Sequence, residues 1–161
     1  SESVSKQTDY AVAGENPDHL ILRSSWFFGP RPASLYPESF LAMMQDGRPI
    51  RMVSDRLGSP TYLRDLSRAI ATLIQMPLTG VLHFANRGEP TSRFHFLKRL
   101  AERLGISSAS LAPIPGSVWE GDIAPRPAFS ALDPARYTAL TGETPRHWEE
   151  TLSEYVTERD A

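Results

Sequence analysis

The 161-residue sequence contains no cysteine, which excludes disulfide bridges, thiolate zinc sites and cysteine nucleophiles together. It has no excess of positive charge: 17 Lys and Arg stand against 19 Asp and Glu, for a formal net charge of −2. That balance lacks the electrostatic footprint of a nucleic-acid binder and any strong draw to an anionic membrane surface, so neither partner is expected. No apolar run approaches the roughly 20 residues that a membrane-spanning helix requires. Ser1 to Val4 lack the basic and apolar regions of a signal peptide, so the expected compartment is the cytoplasm. A glycine-rich dinucleotide fingerprint is missing too. Histidines stand only at positions 19, 83, 95 and 147, too dispersed to predict a metal cluster.

What is present is a composition of 40% hydrophobic and 22% charged residues, enough to bury a core of ordinary size. Strand-like and helix-like stretches alternate. A polar helix tail is expected up to Glu15, and His19 to Arg23 reads as a short buried strand. Glu38 to Met44 reads as a helix stopped by Gly47, and Pro49 to Val53 as extended chain. Thr61 is expected to cap a helix through Met76, with Leu63, Leu66, Ile70, Leu73 and Ile74 on its apolar face. Val81 to Ala85 repeats the buried-strand pattern, and Thr91 or Ser92 opens a helix ending at Gly105. From Leu111 to Gly142 the chain is proline-rich with little periodicity, and a terminal helix is marked by Trp148, Leu152, Tyr155 and Val156. The alternation predicts an α/β fold. The strands at 19–24 and 81–85, continuous apolar runs, are expected to be parallel neighbours.

Three blocks carry chemistry. Arg23-Ser24-Ser25-Trp26-Phe27-Phe28-Gly29 follows a strand, where open α/β sheets bind ligands, and places Trp26 to meet one. Asp55 to Thr61 leads into a helix start, and Gly58, Ser59 and Pro60 fix a backbone that turns amides and hydroxyls outward, although a helix cap explains Ser59 and Thr61 equally well. Arg126-Pro127 offers a rigid fork of donors suited to phosphate oxygens. His83, inside an apolar strand, reads as a core histidine.

In this order the blocks resemble the C-terminal half of the dTDP-4-dehydrorhamnose reductase family of extended short-chain dehydrogenase/reductases. The family's Asp-Gln-x-Gly-x-Pro-Thr is matched at Asp55, Gly58, Pro60 and Thr61, with Arg56 in place of Gln. Its Arg-Pro-x-Asn-Ser-x-Leu-Asp is matched at Arg126, Pro127, Ser130, Leu132 and Asp133, with Phe129 in place of Asn, a ring able to close a pocket beside Arg126. Gly80, His83, Asn86, Gly88 and Ser92 follow further family segments, and Arg93 stands where Trp is usual.

The resemblance implies the C-terminal part of a Rossmann-like parallel sheet with a small mixed substrate-binding subdomain, residues 1–161 being one domain or fragment whose N-terminal dinucleotide-binding part lies outside the chain. It implies reduction of the 4-keto group of dTDP-4-dehydro-L-rhamnose with NADP or NAD, in rhamnose and polysaccharide biosynthesis. Substrate binding falls to Trp26, Arg56, Ser59, Thr61, Arg126 and Ser130, and a cofactor contact to Ser24 and Ser25. The family's Tyr-x-x-x-Lys pair has only a weak echo at Lys6, since Glu2 holds the Tyr position and a carboxylate cannot donate a proton as a phenol does. Tyr10, four residues after Lys6, reverses the order. The isolated chain is therefore expected to be inactive and not to bind the cofactor tightly. Its partners would be a dTDP-sugar and the dinucleotide-binding half, with a homodimer or domain-swapped assembly following from an unpaired sheet edge. A non-catalytic binding module and an epimerase or dehydratase half of the same superfamily remain alternatives.

Overall fold

Short apolar runs rich in Leu, Ile and Val make the strands, and each is paired with a partner far away in sequence. In the computed structural model, which describes residues 14, 16, 18–29, 36–119 and 126–159, β1 (Leu20–Arg23) runs parallel to β6 (Gly80–His83). This is the expected pairing. β2 (Phe27–Phe28) pairs in parallel with β5 (Thr61–Tyr62), and β3 (Ile50–Val53) with β8 (Leu111–Ile114). β4 (Leu57–Gly58) pairs antiparallel with β7 (Thr91–Ser92). The helices are α1 (Glu38–Gln45), α2 (Leu63–Leu73), α3 (Arg93–Arg103), α4 (Ala135–Thr141) and α5 (Trp148–Arg159). The fold is α/β.

The core has two clusters. Phe28, Leu41, Met52, Tyr62, Phe96, Leu97, Trp148 and Tyr155 gather α1, α3 and α5 around β2, β3 and β5. Ala69, Leu73, Leu82, Phe84 and Tyr137 join α2 and α4 to β6. Polar contacts tie α5 to the body: Tyr155 donates to Glu38, which also meets Arg159 at 2.9 Å, and Tyr62 donates to Glu158 at 2.5 Å.

Several expectations require correction. Thr61 does not cap α2; it is a strand residue bonded to Trp26 O through its backbone N–H, and Tyr62 occupies the cap position without a side-chain bond. α2 ends at Leu73, and turns carry the chain to Met76. Its inward residues are Asp65, Ala69 and Leu73, whereas Ile70 and Ile74 are 43% and 72% exposed. Ser92 does cap α3, accepting from the His95 N–H at 3.1 Å. The proline-rich segment holds the strand β8, in which Pro113 is tolerated at an outer position, and the helix α4, stopped at Gly142 with φ +74°. Lys6, Glu2, Tyr10 and the expected helix tail lie outside the described residues, except for Gly14.

Candidate functional site

The three motif blocks lie side by side because each is bonded to the next. Ser25 Oγ donates to Ser59 O at 3.0 Å, and the Leu132 N–H donates to Ser59 Oγ at 3.0 Å. Leu57 N–H donates to Ala128 O, and Ser130 N–H returns to Leu57 O, both at 2.8 Å. Ser130 Oγ donates to the same carbonyl at 3.2 Å. The 126–133 segment is thereby strapped along β4, and Arg126 comes to face the strand end that carries Trp26.

Between the blocks lies a cavity of about 650 Å³, lined by Ser25, Trp26, Phe40, Met52, Val53, Arg56, Arg93, Trp119, Arg126, Pro127 and Ser130. Trp26 is half-buried at φ +49°, a backbone conformation uncommon for a bulky residue. Its ring lies against Gly58, where an added Cβ would stand 2.5 Å from the indole. Only glycine admits the ring there. Arg93 places its guanidinium carbon 5.5 Å from the Trp26 ring centre and 5.0 Å from that of Tyr36. Burial raises the Tyr36 hydroxyl pKa above the usual phenol range, opposed by the Arg93 charge.

Of the residues expected to bind substrate, Trp26, Arg56, Arg126 and Ser130 meet in this cavity. Arg56 also has a structural role. Its Nη2 donates to Gly116 O at 2.7 Å while Asp55 Oδ1 accepts from Gly116 N–H at 2.7 Å, fixing the short turn that leads to Trp119. Ser59 and Thr61 are not among its lining residues. Thr61 is fully buried and accepts from Ser24 Oγ at 3.3 Å, and Ser59 is consumed by its Leu132 bonds. Both hold the wall together, because their hydroxyls turn toward neighbouring blocks. Phe129 does not close the cavity. Its ring is 63% exposed and lines a separate hollow with Asn86, Arg87 and His147.

Missed by the sequence reading were Phe40, Met52, Val53, Arg93 and Trp119. Arg93 had a signal, its departure from the family's Trp; the others are apolar residues with no spacing that marks a pocket.

Ser24 and Ser25 lie with Leu20, Leu22, Phe27, Leu66, Ile70 and Ile74 on an open groove of about 820 Å³. Their hydroxyls are engaged by Thr61 and Ser59, and the sequence has no glycine-rich phosphate turn.

The chain matches the RmlD substrate binding domain over residues 5–160. It belongs to the RmlD substrate-binding family. The spore coat polysaccharide biosynthesis protein SpsK of Bacillus subtilis is 36% identical over 144 residues, 89% of this chain and 49% of that protein. The dTDP-4-dehydrorhamnose reductase of Mycobacterium tuberculosis H37Rv is 33% identical over 152 residues, 90% of this chain and 47% of the reductase. The RmlD-type chain thus spans about half the length of the curated relatives it matches. Among solved structures, a Clostridium acetobutylicum dTDP-4-dehydrorhamnose reductase superposes with TM-score 0.82 at 25% identity, over 93% of this chain and 52% of that one. The Bacillus anthracis reductase, solved in complex with NADP, does so with TM-score 0.77 at 28% identity, over 86% and 48%. No described helix of this RmlD-family chain is long and apolar enough to cross a membrane.

Proposed function

We propose that this chain is the substrate-binding portion of an NAD(P)-dependent nucleotide-sugar 4-keto reductase acting on a dTDP-4-dehydro sugar of the rhamnose type, in cytoplasmic polysaccharide precursor synthesis. The observation that carries the reading is the convergence of Trp26, Arg56, Arg126 and Ser130, spread over a hundred positions, on one cavity. An indole platform beside guanidinium forks suits a sugar joined to a diphosphate.

The cofactor would be NADPH or NADH, its phosphates held by a dinucleotide-binding half beyond these residues; the Bacillus anthracis relative was solved in complex with NADP. In its reduced form that group would supply hydride to the 4-keto carbon, with the carbonyl oxygen taking a proton from a donor outside the described residues. This chain contributes the walls that orient the sugar: Trp26 on Gly58 forms the platform, and Ser130 and Arg126 ride on the strap along β4.

Calorimetric titration with a dTDP-sugar tests the reading. Arg126→Ala should weaken binding by about 1.5–3 kcal/mol through loss of a charge-assisted phosphate contact, with the melting temperature nearly unchanged. Unchanged affinity would remove Arg126 from the site. Steady NADPH oxidation by the 161-residue chain alone would overturn the assignment of the cofactor phosphates to another half.

A further inference from the structure

Arg93 differs from the other two guanidinium groups on the cavity wall. Arg56 is tied to Gly116 O, and Arg126 rides on the strap along β4. Arg93, by contrast, makes no hydrogen bond or ion pair among the described residues; its contacts are the two aromatic faces. Stacking of this kind occupies the flat sides of a guanidinium and leaves its in-plane N–H donors available. The rings of Trp26 and Tyr36 flank the guanidinium of Arg93, an exposed residue on the cavity wall, and leave its in-plane donors accessible.

The backbone adds to the positive field. Arg93 is the first residue of α3, whose first turn carries no acidic side chain. A cation at the positive end of a helix is disfavoured, so an oxyanion beside it would relieve both charges. No Asp or Glu lies among the described lining residues of the cavity.

We propose that Arg93 is a specificity-determining residue that binds a diphosphate oxygen of the nucleotide sugar through a charge-assisted contact, where an indole at the same position would offer only a single neutral N–H. The inference rests on the nucleotide-sugar reading of the cavity and adds to it a third cationic contact. Ligands that retain the diphosphate should therefore be favoured over those that lack it.

The test is titration of the 161-residue chain with dTDP and, separately, with thymidine at millimolar concentration, for wild type, Arg93→Gln, Arg93→Lys and Arg93→Trp. Far-UV circular dichroism checks that each variant folds. Arg93→Gln and Arg93→Trp should lose about tenfold or more in dTDP affinity, with thymidine affinity unchanged and a weaker dependence of dTDP binding on salt. Arg93→Lys, which keeps the charge without the planar fork, should fall between. Affinity for dTDP within about twofold of wild type in both neutral variants overturns the proposal. So does a parallel loss for dTDP and thymidine, because Arg93 would then only prop the Trp26 ring. Failure of the wild-type chain to bind dTDP or any dTDP-sugar would instead defeat the reading of the cavity, and this inference with it.

Discussion

At the scale of single residues, the site depends on how close one backbone lets one ring come. Gly58 is the floor under Trp26, and Gly58→Ala would put a methyl 2.5 Å from the indole. The ring must leave, and with it the platform. Because the floor is a strand locked to β7 and the ring is large, the cost should be about 1–3 kcal/mol, read by chemical denaturation, with loss of dTDP-sugar binding. His83 gives a pH-dependent counterpart. Burial, and then the nearby Arg23 charge, hold its imidazole below the ordinary 6.5, while Asp133 pulls the other way. The unfolded chain takes up a proton near pH 6.5 that the folded chain resists. Stability from the neutral ring is therefore complete above pH 6.5 and is lost as pH falls through the lower folded value. Between pH 7.5 and 5.5 the melting temperature of wild type should fall more than that of His83→Gln.

At the scale of elements, Asn86 joins pieces that share no sequence neighbourhood. Its Oδ1 accepts from the Tyr62 N–H at 2.7 Å, and its amide donates to Asp65 at 2.7 Å and Arg146 O at 3.2 Å. Asn86→Ala would strand a buried backbone donor at the start of α2 and should cost about 2–3 kcal/mol in urea denaturation. No propensity rule marks such a residue, whereas the strands beside it were legible: Leu20–Arg23 and Gly80–His83 are apolar runs whose parallel pairing followed from their lack of alternation. Ser92 was legible as a cap because its hydroxyl acts locally. Thr61 looked identical in sequence, but its fate is set by a strand 34 positions upstream, Phe27, which pairs with it. Ser59 misled for the same reason, and Leu111–Ile114 was hidden by Pro113. Residues that act through distant backbone were the ones that reading along the chain could not place.

At the scale of the molecule, the exposed stripe of α2 takes on meaning. Ile70, Ile74 and Phe27 face the groove beside β1, and β6 is the strand bonded to β1 among the described residues. An amphipathic helix that turns isoleucines to solvent next to an open strand edge is a surface built to be covered. On the proposed reading, a dinucleotide-binding half is the cover this surface would take. Without it the chain should self-associate, and Ile70→Glu with Ile74→Glu should shift it toward monomer in sedimentation velocity.

The pairings that shape the sheets also bear on how quickly this structure can be reached. Leu20 meets Gly80 and Ile50 meets Leu111, so these two parallel pairs each close a loop of about sixty residues before either strand has a partner. Such high contact order slows the search, because chain entropy is surrendered well before native contacts compensate. During synthesis Leu20 to Arg23 must wait on the ribosome's surface until His83 has emerged, with its apolar side chains bare in the interval. Refolding from urea should therefore be a slow process led by the local helices, with β1 protected last in pulse-labelled hydrogen exchange.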